Sequence, residues 1–173
     1  MNIPEVNPLQ YCPRCGSRLQ PAKISGRVRL ACSAGDCEYV FWDNPTPVVA
    51  GVVEFEGKVI LVRQKGWPGK WHGLVTGFME REETPEEAIL RELDEELSLQ
   101  GEIISFIGYY TFYMLNQLIL AFHVQARGTI LLGDELESFK LIPPEKLRPW
   151  TRGTGPALRD WLAAQGYSPV QGG

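Results

Sequence analysis

The segment from Gly77 to Leu99 constrains the fold most, because it joins a strong helix signal to a dense set of acids. Thr84-Pro85-Glu86-Glu87 is a capping box with proline at the first helical position, which predicts a helix running to about Leu97. An apolar stripe along this helix should pack on a sheet; it consists of Ile89, Leu90, Leu93 and Leu97.

Three glutamates share a neighbouring face of the same helix. Glu92, Glu95 and Glu96 stand at i, i+3 and i+4, where like charges repel by roughly 0.2–0.5 kcal/mol a pair. A cation between them would relieve that repulsion, and clustered oxygen ligands suit Mg²⁺ or Mn²⁺. The alternative is an acidic, solvated helix face, which the three residues by themselves favour.

The charge of the chain is concentrated in this segment. It holds nine acids and two bases, a net −7, whereas the whole chain is −4 and the remainder therefore +3. The overall balance argues against a generally basic nucleic-acid binder.

Four cysteines form a second constraint near the N-terminus. Cys12-Pro-Arg-Cys15-Gly16 is a metal-binding knuckle, and Cys32 and Cys37 follow after sixteen residues with a longer spacing than is usual. We expect a structural zinc site of four thiolates in a zinc ribbon. Two alternatives stay open: metal-free cysteines, and a ribbon that contacts nucleic acid through its basic residues.

The prolines of Asn44-Pro45-Thr46-Pro47 indicate a stiff junction, so we expect a zinc ribbon over residues 1–43 and a second domain over 44–173. Apolar alternation in the second domain predicts strands at Val48–Phe55, Lys58–Arg63, Ile103–Phe112, Leu118–Gln125 and Ser138–Ile142. The first two should form a hairpin about Glu56-Gly57. A further helix should follow Thr154-Gly155-Pro156 and stop at Gly166. The fold class is therefore an α/β sandwich with a mixed sheet.

No apolar run approaches the roughly 20 residues of a membrane span. The first ten residues also lack the apolar core of a signal peptide. We therefore expect a cytoplasmic protein without a membrane partner.

The acidic segment resembles the Nudix box, Gly-x5-Glu-x7-Arg-Glu-apolar-x-Glu-Glu-x-Gly-apolar. Gly77, Glu83, Arg91 and the three glutamates match, and Ser98 replaces the last glycine. The resemblance covers about residues 48–165 and implies a Nudix-type α/β/α sandwich. A preceding zinc ribbon is similar to the NADH pyrophosphatase branch and to related ADP-ribose and FAD pyrophosphatases.

The resemblance implies Mg²⁺- or Mn²⁺-dependent hydrolysis of a nucleoside diphosphate linked to another group X. The metal ligands would be Glu92, Glu95, Glu96 and the carbonyl of Thr76, with Glu95 and Glu96 counted as catalytic. Glu135 would complete the ligand set or act as base, and Glu137 is its rival. Gly77, Glu83 and Arg91 would brace the motif. His72 and His123 are expected to be packing or surface residues.

The substrate-binding residues are less clearly marked. Tyr109 to Gln117 stands where the NADH pyrophosphatases have a proline-rich motif, so specificity for NADH is not expected. Tyr110, Tyr113 and Trp42 are candidates for stacking on a nucleotide ring, although packing within the fold is the competing role. A homodimer is expected from family resemblance, and an RNA partner is not indicated by net charge. The alternative function is a zinc-ribbon RNA-binding or regulatory protein that uses the Nudix domain as a nucleotide sensor.

Overall fold

The computed structural model describes residues 9–67 and 69–167. It divides into two compact units, one ending at Asn44 and the other beginning at Pro45. The described residues of the first unit form a three-stranded antiparallel sheet, in the order β1-β2-β3. Its strands are β1 (Leu19–Ile24), β2 (Arg27–Cys32) and β3 (Val40–Phe41).

The described residues of the second unit form a mixed six-stranded sheet and two α-helices. Its elements are β4 (Thr46–Phe55), β5 (Lys58–Gln64), β6 (Val75–Phe78), α1 (Pro85–Leu97), β7 (Leu99–Phe112), β8 (Gln117–Gly128), β9 (Leu136–Ile142) and α2 (Gly155–Ala164). The strand order is β7-β8-β4-β5-β9, with β6 paired to β4.

Strand β4 is the centre of this sheet. It runs parallel to β8 on one edge, and on the other edge it pairs antiparallel with β6 near its start and with β5 at its end. Strand β5 leaves β4 after two residue pairs and continues along β9. That divergence leaves room on β4 for β6, which carries Thr76 and Gly77.

The two helices cover opposite faces of the sheet, as the alternation along β4 shows. Val49 and Val53 pack in the core that contains α1, whereas Val52 packs in the core that contains α2. Side chains two residues apart share a face of a strand. The predicted α/β sandwich with a mixed sheet is therefore confirmed.

The helix and hairpin predictions are confirmed in detail. Helix α1 begins after the capping box at Thr84 and ends at Leu97, and Glu56-Gly57 forms the turn between β4 and β5 with positive φ at both residues. The later strands are longer than predicted. Strand β6 was not predicted, nor were the strands of the first unit.

None of the helices in the described part of the chain is long and apolar enough to cross a membrane.

Candidate active site and the four-cysteine cluster

The four cysteines of the first unit meet in one cluster. Their sulfur atoms all lie within 4.8 Å of one another, and among the described residues this is the one such group of three or more metal-ligating side chains. The Cys12–Cys37 and Cys15–Cys32 sulfur distances are 3.8 and 3.4 Å, close to the about 3.8 Å between sulfurs in a tetrahedral zinc site. The donor set therefore fits zinc.

The knuckle around Cys15 favours the metal-binding form of the thiol. Gly16, at φ 76°, turns the chain so that its N–H donates to the carbonyl of Cys12 over 2.8 Å. Hydrogen bonds from the backbone and side chain of Ser17 lower the pKa of Cys15 to about 6. A thiolate is the form that ligates a metal.

In the second unit, helix α1 presents the three glutamates in different environments. Glu96 is buried at 4% exposure, whereas the side chain of Glu95 is 59% exposed. Glu92 lies against Gly77 of β6, where an added Cβ would come within 1.8 Å of the carboxyl carbon. Glycine at position 77 is therefore what allows the Glu92 carboxylate to lie there.

Arg91 connects these carboxylates to the loop before the helix. Its Nε and Nη2 donate to the two oxygens of Glu83 over 3.0 and 2.9 Å, and Nη2 also donates to the carbonyl of Phe78. Arg91 and Glu83 thus form an ion pair, and it holds the pKa of Glu83 below its usual range. The remaining nitrogen, Nη1, donates to Glu92 and Glu95 over 2.9 and 3.0 Å, and so places a cation between two carboxylates.

Glu96 has a buried carboxylate oxygen without a hydrogen-bond partner. Its Oε1 accepts a long hydrogen bond of 3.4 Å from Gln64, but its Oε2 is buried without a partner. Burial, followed by the charges of Glu92, Glu135 and Glu95, raises the pKa of Glu96 to about 7. A buried carboxylate oxygen with no donor is costly unless a cation binds it.

The loop between β8 and β9 brings two further acids to the cluster. The N–H groups of Leu131 and Gly133 donate to the carbonyls of Leu97 and Glu96, over 3.0 and 2.9 Å, at the end of α1. Asp134 and Glu135 follow directly and line the same cavity as the three glutamates. Glu137, the rival of Glu135, does not line this cavity and forms a 2.8 Å ion pair with Arg63 instead.

The cavity has a volume of about 980 Å³ and two chemically distinct parts. Its acids are Glu80, Glu92, Glu95, Glu96, Asp134 and Glu135, with Thr76 and Gly77 beside them in the lining. Its large apolar side chains include Trp67, Trp71, Phe78, Phe112, Leu115 and Trp150. A space of this kind suits a ligand with a charged end and a planar, apolar end.

Two of the predicted substrate-binding aromatics, Tyr110 and Tyr113, line a different cavity of the second unit. Tyr110 donates to Asp160 of α2 over 2.9 Å, and Tyr113 is 86% exposed. Both line a smaller cavity of about 580 Å³, not the one that holds the carboxylates. Trp42 belongs to the first unit, where the guanidinium of Arg29 lies 4.7 Å from its ring centroid. Their role in substrate binding stays a prediction.

Neither histidine lines the carboxylate cavity. His123 is buried, with Nε2 2.6 Å from Glu54 and its ring against Trp161. The Nδ1 and Nε2 atoms of His72 lie 3.1 and 3.3 Å from the Lys70 carbonyl and the Ser138 hydroxyl. These contacts agree with the packing roles expected from the sequence.

Sequence reasoning missed the three tryptophans of the cavity. Trp67 and Trp71 share a short loop rich in glycine, and two tryptophans four residues apart in a loop are a signal that could have been used. Trp150 precedes α2, and nothing local in its sequence marks it as a partner of Trp71.

A mixed sheet between two helices, with a carboxylate-lined cavity at the end of one helix, defines the class of protein. The NUDIX domain family model matches residues 45–163, and the chain therefore belongs to this family.

Curated relatives match parts of the chain. The chain is 24% identical over 129 residues to the NAD-capped RNA hydrolase NudC of Vibrio atlanticus, covering 75% of this chain and 46% of the relative. It is 36% identical over 75 residues to the ADP-ribose pyrophosphatase of Methanocaldococcus jannaschii, covering 43% and 44%. The chain thus spans about half the length of the curated relatives it matches.

A crystal structure of a NUDIX hydrolase from Nitrosomonas europaea has the same fold. It superposes with a TM-score of 0.76 at 23% identity, covering 95% of this chain and 97% of the other.

Proposed function

We propose that the protein hydrolyses a pyrophosphate bond in a nucleoside diphosphate linked to another group X, with Mg²⁺ or Mn²⁺ as cofactor. The observation that carries this proposal is the buried, unpartnered oxygen of Glu96, a residue that lines one cavity together with further carboxylates. Oxygen-rich sites of this kind bind hard divalent cations that also contact substrate phosphates.

The residues present fit such a cation. Glu92, Glu95 and Glu96 would hold it together with the carbonyl of Thr76, and Arg91 would release Glu92 and Glu95 while keeping both contacts to Glu83. A bound Mg²⁺ or Mn²⁺ neutralises pyrophosphate charge and lowers the pKa of the attacking water. Glu135 accepts the proton of that water or contributes a further oxygen ligand. Gly77, Glu83 and Arg91 hold the loop and the helix together.

The curated relatives support ADP-containing substrates, because their names include an ADP-ribose pyrophosphatase and NAD-capped RNA hydrolases. We propose NADH-, ADP-ribose- or FAD-type molecules as the substrate class. A panel of NADH, ADP-ribose, FAD, diadenosine polyphosphates and nucleoside triphosphates, incubated with Mg²⁺ or Mn²⁺, tests this. The products identify both the substrate and the bond that is broken.

Substitution of the glutamates tests the site itself. Glu95→Gln and Glu96→Gln should each lower turnover by at least ~10²-fold, since each removes a charge from the cation site. Asp94→Asn is the matched control, because Asp94 lies on the same helix, is exposed and does not line the cavity. Wild-type turnover in both glutamine variants would contradict the assignment and favour a solvated acidic helix.

Two observations support the RNA-binding alternative. Arg14, Arg18, Lys23 and Arg27 of the first unit are exposed, and the NudC relatives are named for capped RNA. A capped RNA would join both functions, with zinc held by Cys12, Cys15, Cys32 and Cys37. Faster hydrolysis of NAD-capped RNA than of free NAD would support this alternative, and equal rates of hydrolysis would oppose it.

A further inference from the structure

Three tryptophans form a continuous aromatic surface in the cavity. The ring centroids of Trp67 and Trp71 lie 4.5 Å apart at a tilt of 39°, and Trp150 meets Trp71 edge-on at 5.5 Å. Trp71 nevertheless remains 46% exposed. A large indole left open to a cavity is typical of a ligand-binding surface rather than of a finished core.

A glycine packs against the first two indoles, and an arginine holds the backbone of the loop that carries them. Gly73 is hydrogen-bonded to Val62 in both directions at 2.8 Å, and a Cβ on it would lie 2.9 Å from Trp71 and 3.3 Å from Trp67. Both rings therefore pack against the glycine backbone in the space that a side chain at position 73 would occupy. Arg63 donates to the carbonyls of Trp67 and Gly69, and its third partner is the Glu137 carboxylate.

The same strand end connects this surface to the carboxylates. Gln64 follows Arg63 and donates to Glu96, while the N–H of Trp67 donates to the carbonyl of Gln64 over 3.3 Å. The loop with the tryptophans thus begins beside the contact to the most buried acid. A ligand bound at the carboxylates can therefore extend onto the indoles.

The geometry points to Trp67, Trp71 and Trp150 as the stacking surface for a nucleobase-type planar ring of the substrate, with Arg63 and Glu137 as positioning residues. This inference rests on the proposed function and specifies how its substrate is recognised. The gap between Trp67 and Trp71 is already closed, so the ring lies on the exposed face of Trp71 and does not insert between the indoles. Stacking of this kind accepts many ring identities.

Binding of AMP and of ribose 5-phosphate in the presence of Mg²⁺ tests the stacking surface, because the two probes differ only in the ring. Trp71→Ala should weaken AMP binding roughly tenfold and leave ribose 5-phosphate unchanged. Trp71→Phe should retain most of the AMP affinity. Tyr109→Ala is the control, because Tyr109 is 74% exposed and does not line the carboxylate cavity.

Several results would overturn this inference. One is that the wild type binds AMP no more tightly than ribose 5-phosphate. The others are that Trp71→Ala leaves AMP binding intact, or that it weakens the binding of both probes equally. Each of these outcomes would contradict stacking of the base on the indole surface. If the substrate panel shows no hydrolysis, the proposed function fails, but the contrast between the two probes still tests the surface. If hydrolysis proceeds with unchanged KM in Trp71→Ala, this inference alone fails.

The positioning role has its own readout. Glu137→Gln should raise KM about three- to tenfold for a dinucleotide substrate while kcat stays within twofold, because Arg63 loses a charged partner but the carboxylate cluster is untouched. A fall in kcat without a change in KM would contradict this role and would instead favour Glu137 as the catalytic base.

Discussion

Glu96 lies in an environment that disfavours its ionised form, so its contribution to the free energy of unfolding depends on pH. Burial raises the folded-state pKa of Glu96 to about 7, above its usual 4.5. Between pH 4.5 and about pH 7, therefore, the Glu96 carboxyl is protonated in the folded protein and ionised in the unfolded chain. The stability that comes from protonating Glu96 in the folded state is fully present below pH 4.5, the usual pKa, and is lost as the pH rises through about 7.

Glu96→Gln should therefore raise the melting temperature in buffer without added Mg²⁺ or Mn²⁺, and by more at pH 8 than at pH 5. Glutamine keeps the shape of the side chain and cannot ionise. Thermal melts at the two pH values check this, with Asp94→Asn as the control. An equal effect at both values would mean that the charge of Glu96 does not matter to folding.

Ser98 is the departure from the Nudix box, and its backbone shows the consequence. It occupies the left-handed region at φ 53° and ψ 36°, and its N–H donates to the carbonyl of Asp94. The helix thus ends where glycine would end it, and it does not extend to Gly101. Serine in this conformation costs about 1 kcal/mol.

Ser98→Gly should raise the free energy of unfolding by up to about 1 kcal/mol, less whatever glycine loses through unfolded-state entropy. Ser98→Ala should bring no gain, since alanine meets the same strain. Urea unfolding of the two variants measures the difference. A glycine variant no more stable than the alanine variant would show that Ser98 is not strained.

At the scale of elements, the loop before β9 serves both helix α1 and the site. The last turn of α1 has no basic residue, and the N–H groups of Leu131 and Gly133 donate to the carbonyls of Leu97 and Glu96 there. An added Cβ on Gly133 would lie 2.3 Å from the carbonyl oxygen of Glu95. The approach of this loop therefore depends on glycine.

Gly133→Ala should push the loop away from α1 and reduce turnover at least tenfold by displacing Glu135. In a Glu135→Gln background the same change should add little, because effects acting through one group are not additive. Gly35→Ala is the control, since a Cβ there meets nothing within 4 Å. If the losses of turnover from Gly133→Ala and Glu135→Gln are additive, the loop does not affect turnover through Glu135.

The elements predicted correctly from sequence are those fixed by local signals. A capping box and a two-residue turn specify α1 and the β4–β5 hairpin through neighbouring residues. Strand β6 is four residues long and is defined by pairing with β4, so no local pattern marks it. The glutamates followed from helical spacing and the motif, whereas the three tryptophans come together only through the tertiary fold.

At the scale of the whole molecule, the two units differ in how they are stabilised. Within the part of the chain that the structure describes, the unit from Pro45 contains three clusters of buried apolar side chains. Among the described residues up to Asn44, Cys12 alone is buried. A unit without an apolar core of its own needs another source of folding free energy, and a structural zinc ion supplies it outright.

We therefore expect one zinc ion per chain, and we expect that Cys15→Ser or a strong chelator unfolds the first unit while the second stays folded. Elemental analysis measures the zinc, and hydrogen exchange compares residues up to Asn44 with residues from Pro45. Exchange protection should fall in the first group only, because the carboxylate cavity and the three apolar clusters belong to the second unit. Absence of zinc from protein purified without chelator, or unchanged protection in the variant, would contradict the zinc ribbon and leave the four cysteines as free thiols.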